Sequence, residues 1–243
     1  MPLADAPGRT SVTDCLVMPV YNEEATLPTV LDAVRRHYDD VMILVNDGST
    51  DGTAAILAAR DDVSVVTHPT NSGYGQSLID GARASLESGA SRLVTMDVDG
   101  QHEPTHIPQF LEALADGVDI VSGSRYLPAS GRLGSAPPDR ADINRRITDT
   151  INEVTGWGLT DAFCGFKAYR LAAIAGMALT ERGYAMPLEL WAKAWRRGLV
   201  VRELPVERIY FDHDRSFGAD LDDPVKRYDY YMRVWERALH EED

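Results

Sequence analysis

Short apolar runs alternate with amphipathic stretches through the first half of the chain. Residues 15–20, 41–45, 63–67, 92–96 and 119–122 are apolar almost without interruption. Runs of this length and character predict strands covered on both faces. Between them, apolar residues recur at helical spacing. Leu27, Val30, Leu31 and Val34 form one such set, Leu78, Ile79, Ala82 and Leu86 a second, and Ile107, Phe110, Leu111 and Leu114 a third. Strand–helix alternation predicts an α/β fold with a Rossmann-like, mostly parallel sheet flanked by helices. Residues 126–142 break the rhythm with Pro128, Gly131, Gly134, Pro137 and Pro138 and read as a mobile loop. Beyond it, Ile143, Ile147, Ile151 and Val154 predict a helix that carries Arg145 and Arg146. Residues 186–197 predict another helix and residues 200–206 a strand, which Pro205 confines to an edge or an end. Asp223-Pro224 predicts an N-cap followed by proline at the first helical position. Val225, Tyr228, Met232, Trp235 and Leu239 then mark one face of a last helix.

Composition narrows what such a sheet can serve. With 243 residues, 44% hydrophobic and 26% charged, the chain fits one large domain or a domain plus a subdomain. Its net charge of -14 disfavours nucleic-acid binding, which needs a basic face. The two cysteines, Cys15 and Cys164, suggest no disulfide framework, so a cytoplasmic setting is expected. Residues 1–13 lack the apolar core of a signal peptide. The longest apolar stretch, residues 171–179, is too short to span a bilayer.

The chemistry gathers at strand ends. Asp97-Val98-Asp99 follows the fourth strand and precedes the turn Gly100-Gln101-His102-Glu103-Pro104. Two carboxylates so close repel unless a cation bridges them. Hard divalent ions such as Mg2+ or Mn2+ take carboxylate oxygens and share them with substrate phosphates, so the pair reads as a metal–diphosphate handle. For an isolated pair the competing reading is a solvated acidic turn. The first strand ends in Pro19-Val20-Tyr21-Asn22-Glu23, the second in Asn46-Asp47-Gly48-Ser49-Thr50-Asp51. Ligands bind beyond the carboxyl ends of a parallel sheet, so all three ends are expected to share one crevice. Asp47 can accept hydrogen bonds from a base or ribose, and Gly48 would let a nucleotide approach the backbone. Turn chemistry and helix capping explain the same residues equally well. Gly73, in Thr70-Asn71-Ser72-Gly73-Tyr74-Gly75, opens a helix whose amides can meet an anion. Neither a P-loop nor a GxGxxG turn is present, which counts against a dinucleotide oxidoreductase.

Met18-Pro19-Val20-Tyr21-Asn22-Glu23, Asn46-Asp47-Gly48-Ser49-Thr50-Asp51 and Asp97-Val98-Asp99-Gly100-Gln101-His102 together resemble family-2 inverting glycosyltransferases of the GT-A fold. Gly123-Ser124-Arg125-Tyr126 and Asp161-Ala162-Phe163-Cys164-Gly165-Phe166-Lys167 resemble the branch that makes dolichol- or polyprenyl-phosphate mannose or glucose. The resemblance implies one catalytic domain. Residues 14–125 would form the nucleotide-sugar half, residues 126–222 an acceptor half with a smaller mixed sheet, and residues 223–243 a C-terminal helix. It implies a GDP- or UDP-linked sugar donor and a Mg2+ or Mn2+ ion. Pro19, Tyr21, Glu23 and Asp47 would line the nucleoside pocket, while Asp97 and Asp99, with Gln101, would hold the metal. Arg125 and either Arg145 or Arg146 would meet an acceptor phosphate, which arginine grips bidentately. Surface ion pairing is the competing reading of these arginines.

The resemblance has two departures. No membrane helix follows the catalytic region, and the basic stretch usual near the end is here Asp212-His213-Asp214-Arg215-Ser216-Phe217-Gly218-Ala219-Asp220. Arg215 remains a candidate phosphate clamp, and His213 a candidate late metal ligand. The acceptor is expected to be a polyprenyl phosphate met at the inner face of the membrane, with a small-molecule or protein hydroxyl as the alternative. A hydroxyl needs a general base, for which Asp161 and Glu189 are candidates. An aspartyl-phosphate phosphotransferase centred on Asp97 and an inactive nucleotide-sugar-binding module are the rival classes. Monomer and oligomer are equally compatible with the sequence.

Overall fold

The computed structural model describes residues 13–115, 117–134, 136–209, 218 and 220–241. Its strands are β1 (Asp14–Val20), β2 (Val41–Asn46), β3 (Ser64–Thr67), β4 (Arg92–Thr95), β5 (Ile120–Ser124), β6 (Arg132–Leu133), β7 (Lys167–Arg170), β8 (Val201–Pro205) and β9 (Arg208–Ile209). Its helices are α1 (Leu27–Arg35), α2 (Thr53–Ala58), α3 (Tyr74–Glu87), α4 (Ile107–Ala113), α5 (Pro138–Thr155), α6 (Leu171–Ile174), α7 (Met186–Arg196) and α8 (Pro224–His240).

Seven strands form one sheet in the order β3-β2-β1-β4-β7-β5-β8. All neighbours are parallel except β7, which runs antiparallel to both β4 and β5. The continuous apolar runs of β1, β2, β4 and β5 follow from burial on both faces. β3 departs from that expectation: it is an edge strand, and Ser64, Val65 and Thr67 are exposed. Along β1, Cys15 and Val17 join the core under α3, α5, α7 and α8, while Leu16, Met18 and Val20 join the core under α1 and α4. β8 lies at the sheet edge and ends at Pro205, as the missing N–H requires. Among the described residues, no helix is long and apolar enough to cross a membrane.

Three further expectations are corrected, and β7 is a strand that the apolar pattern does not predict. Residues 126–142 do not form one loop, because α5 starts at Pro138. Proline fits the first turn of a helix, so the Pro137-Pro138 pair starts an element where it reads as a break. β7 escapes the apolar pattern because it contains Lys167, whose buried ammonium donates to the Cys164 carbonyl and faces the Trp191 ring at 5.3 Å. The smaller sheet is not mixed. β6 and β9 pair in parallel, and the mixed pairing lies within the large sheet around β7. The inner face of α8 is rotated from the expected one: Arg227, Tyr231, Val234, Trp235 and Ala238 are buried, and Val225 is 69% exposed.

The α8 cap forms as its sequence predicts. Asp223 accepts the Val225 and Lys226 N–H groups at 2.8 and 3.2 Å. Asp223→Ala is expected to cost about 1 kcal/mol in urea denaturation, the usual worth of such a cap.

Candidate active site

β1 pairs with β2 on one side and β4 on the other, so chain direction around the sheet reverses between them. Open α/β sheets bind ligands beyond this point. A cavity of about 720 Å³ opens here, within the range of small-molecule sites. It brings together Pro19 near the end of β1, Tyr21 and Glu23 after it, Asp47 after β2, and Asp97, Val98, Asp99 and Gln101 after β4. Gly73 and Arg125 complete the sequence-predicted residues on its wall.

Side-chain oxygens knit the first two loops together. Asn22, at φ 54, donates its N–H to Ser49 Oγ at 3.0 Å and accepts the Thr50 N–H at 2.8 Å. Glu23 N–H reaches Thr53 Oγ1 at 2.9 Å. Asp47 is buried and accepts the Ser72 and Gly73 N–H groups at 2.7 and 2.9 Å, with His68 Nδ1 2.7 Å away. Its carboxylate therefore shapes the turn before α3 as well as bordering the cavity. Gly48 does not line the cavity. At φ +68, a Cβ there would sit 2.4 Å from the Thr70 carbonyl carbon, so the close approach it permits is to that turn.

The pair after β4 forms a compact turn. Gln101 N–H donates to Asp99 Oδ1 at 2.9 Å, and Asp97 N–H donates to His102 Nδ1 at 3.1 Å. No set of three or more histidine, cysteine or carboxylate ligands occurs among the described residues. Two hard carboxylates facing a cavity nevertheless suit Mg2+ or Mn2+, which complete their shells with water and substrate phosphate. The residues present thus fit a divalent ion shared with a ligand diphosphate.

In the same cavity lining, Arg125 grips Asp161 through Nε at 2.7 Å and Nη2 at 2.9 Å. Asp161 is fully buried and also accepts from Asn144 Nδ2 at 2.8 Å and Phe163 N–H at 3.2 Å. Burial pushes its carboxyl up, but the Arg125 charge and these hydrogen bonds outweigh that and hold it below the ordinary range. Such a carboxylate is a poor proton acceptor, and it does not line the cavity. Glu189 is equally unsuited. It is fully buried, accepts the Thr180 and Glu181 N–H groups at 2.9 and 2.7 Å, and pairs with Lys193 at 3.2 Å.

Arg145 and Arg146 also lie off the cavity wall. Arg145 pairs with Asp142 at 2.7 Å and Asp149 at 3.3 Å, and Arg146 sits 3.8 Å from the Tyr228 ring centroid. Arg140 and Arg227 line it instead. Arg140 falls within residues 126–142, whose sequence reads as loop although α5 begins at Pro138. Once α5 starts at Pro138, helical spacing carries Arg140 onto the cavity side with Ile143 and Asn144. Arg227 is buried, 2.5 Å from Asp139 and 2.7 Å from the Leu221 carbonyl. Tyr74 and Tyr184 also line the cavity; Tyr74 lies in the glycine turn 70–75, where only Gly73 has an expected role, and Tyr184 lies in no sequence motif. Arg215 and His213 lie outside the described residues.

The family model of glycosyl transferase family 2 matches residues 15–176. The chain belongs to this family. It is 34% identical over 200 residues to the polyprenol monophosphomannose synthase of Mycolicibacterium smegmatis, covering 79% of this chain and 75% of that one. It is 35% identical over 198 residues to the undecaprenyl-phosphate mannosyltransferase of Micrococcus luteus, covering 78% and 81%. Glucosyl-3-phosphoglycerate synthase of Mycobacterium tuberculosis, solved with uridine diphosphate, matches in shape with a TM-score of 0.73 at 19% identity, covering 99% of this chain and 88% of that one. The fold of this family-2 glycosyltransferase is therefore GT-A, and its five sequence motifs lie around one end of the sheet.

Proposed function

We propose that this glycosyltransferase moves a hexose, with inversion, from a nucleoside diphosphate sugar to a polyprenyl phosphate, using a divalent metal. The observation that carries the reading is that one cavity is lined both by the Asp97 and Asp99 carboxylates and by Arg125, Arg140 and Arg227. A carboxylate pair suits a cation-bridged diphosphate, and arginines suit a second phosphate. The mannosyl names of the two relatives favour mannose as the sugar. Tyr21 and Glu23 border the donor's nucleoside, with Asp47 holding the turn beneath it.

An acceptor phosphate oxygen attacks the anomeric carbon as the bond to the diphosphate oxygen breaks, and the electron pair leaves with the diphosphate. A divalent ion held by Asp97 and Asp99, with Gln101 beside them, would neutralise that developing charge. Phosphate arrives already ionised, so no side chain need remove a proton. This agrees with the ties of Asp161 and Glu189 to Arg125 and Lys193. Arg125, oriented by Asp161, and Arg140 hold the acceptor phosphate in line. The lipid tail of such an acceptor would bring the reaction to a membrane surface.

The test is transfer of labelled sugar from GDP-mannose or UDP-glucose, with Mn2+ or with EDTA, to a short polyprenyl phosphate or to the matching polyprenol. Transfer to the phosphate alone, abolished by EDTA, is the expected result. Equal transfer to the alcohol would overturn the acceptor reading. Arg140→Ala is expected to raise KM for the polyprenyl phosphate about tenfold or more, the worth of one charge-assisted contact, with little change in KM for the donor.

A further inference from the structure

We infer that Tyr74 is a positioning residue for the Asp97 carboxylate, an inference that rests on the metal reading above. Tyr74 is the first residue of α3, and its hydroxyl donates to Asp97 Oδ1 at 3.0 Å. Its ring stacks on Tyr184, with centroids 5.7 Å apart and planes inclined by 20°. The chain before Tyr184 is seated against the same turn. Gln76 N–H donates to the Arg182 carbonyl at 3.1 Å, and the Tyr230 hydroxyl of α8 reaches the Glu181 carboxylate. The phenol is thus braced from behind while it holds Asp97.

Asp97 is confined from two further directions. A Cβ on Gly165 would lie 2.4 Å from Asp97 Oδ2 and 2.9 Å from the Tyr74 hydroxyl, so only glycine leaves room for this pair. Gly165 is itself held by the Thr95 hydroxyl, which donates to its carbonyl at 2.8 Å. The backbone of Asp97 is tied to His102. The carboxylate therefore sits in a slot cut by α3, the Gly165 segment and its own turn.

The choice of a phenol has a physical reason. A lysine or arginine in its place would also hold Asp97, but its charge would repel a divalent cation. A neutral hydroxyl orients the carboxylate without adding a positive charge of its own to the site. A hydrogen bond to an ionised oxygen is also stronger than one between neutral groups. Tyr74 thus sets the geometry of one metal-holding group without competing for the site.

Tyr74→Phe keeps the ring and its stacking and removes only the donor. Binding of Mn2+ alone to the full chain, followed by electron paramagnetic resonance, is expected to weaken about tenfold, as for loss of one charged hydrogen bond. The Mn2+ concentration giving half-maximal transfer is expected to rise by the same factor, with only the small fall in melting temperature that loss of one hydrogen bond brings. A purely structural role would lower the melting temperature and spare the Mn2+ affinity. Gly165→Ala, which pushes the Asp97 carboxylate from the other side, is expected to weaken Mn2+ binding as well. If wild type binds Mn2+, Asp99→Ala does not, and Tyr74→Phe binds as wild type does, the inference fails and the metal reading stands. A wild-type chain that binds no Mn2+ overturns both.

Discussion

Asp99→Ala is expected to lower kcat/KM by about a thousandfold or more and to abolish metal-dependent donor binding in calorimetry. Electrostatic groups aimed at developing charge are commonly worth that much. Asp99 lines the cavity at the tip of the turn after β4, where one carboxylate oxygen accepts the Gln101 N–H. Alanine removes both the charge and this internal bond. Asp99→Asn separates the two effects, since its amide oxygen can still accept from Gln101. The expected order of activity is wild type, then Asp99→Asn, then Asp99→Ala, with most of the loss already present in Asp99→Asn. Stability is expected to change little in either variant, because the Asp99 side chain belongs to neither core, although Val98 beside it does. Normal Mn2+-dependent donor binding by Asp99→Ala would remove the basis for the metal site.

Asp161→Ala is expected to destabilise the protein by about 3–5 kcal/mol, the cost of breaking a buried ion pair from one side. For a domain of this size that corresponds to a fall of roughly 10 °C in melting temperature. The substitution leaves Arg125 without the two-point grip that orients it and strips acceptors from Asn144 and the Phe163 N–H. Activity is expected to fall through a raised KM for the acceptor, because Arg125 swings out of register. The pH dependence has a definite sign. The Asp161 carboxyl is held below its ordinary value by Arg125 and Asn144, against the opposing push of burial. Its stabilising contribution is therefore complete above the unfolded value of about 4 and is lost as pH falls through the lower folded value. Asp161→Ala should show a shallower acid limb in melting temperature than wild type. A general base at this position would instead leave stability nearly unchanged and reshape the pH–rate profile near neutrality.

These two carboxylates show where sequence reasoning reaches and where it stops. Asp97, Asp99 and Asp47 are legible because their setting is local: each follows a strongly apolar strand, and a parallel sheet carries such ends to one edge. Asp161 sits in an equally recognisable motif, but its partners are Arg125, 36 positions away, and Asn144, 17 positions away. Nothing in its neighbours distinguishes a proton acceptor from one half of an ion pair. Arg145 and Arg140 differ for a related reason. They lie on one helix and differ by five positions, so the start and phase of α5 decide which borders the cavity and which pairs with Asp142 on the surface.

The alternation of strands and helices, the positions of the first five strands and the α8 cap follow from the order of residues alone. Each depends on groups a few positions apart, and hydrophobic period, proline and capping chemistry act at that range. The insertion of antiparallel β7, the burial of Lys167 and the partner of each charged side chain depend on contacts between distant segments. Water exclusion at those contacts makes a charge costly unless a specific partner meets it. Tyr74 has the same status. A tyrosine after a glycine turn has no evident task until folding brings Asp97, 23 positions away, to within 3.0 Å of its hydroxyl.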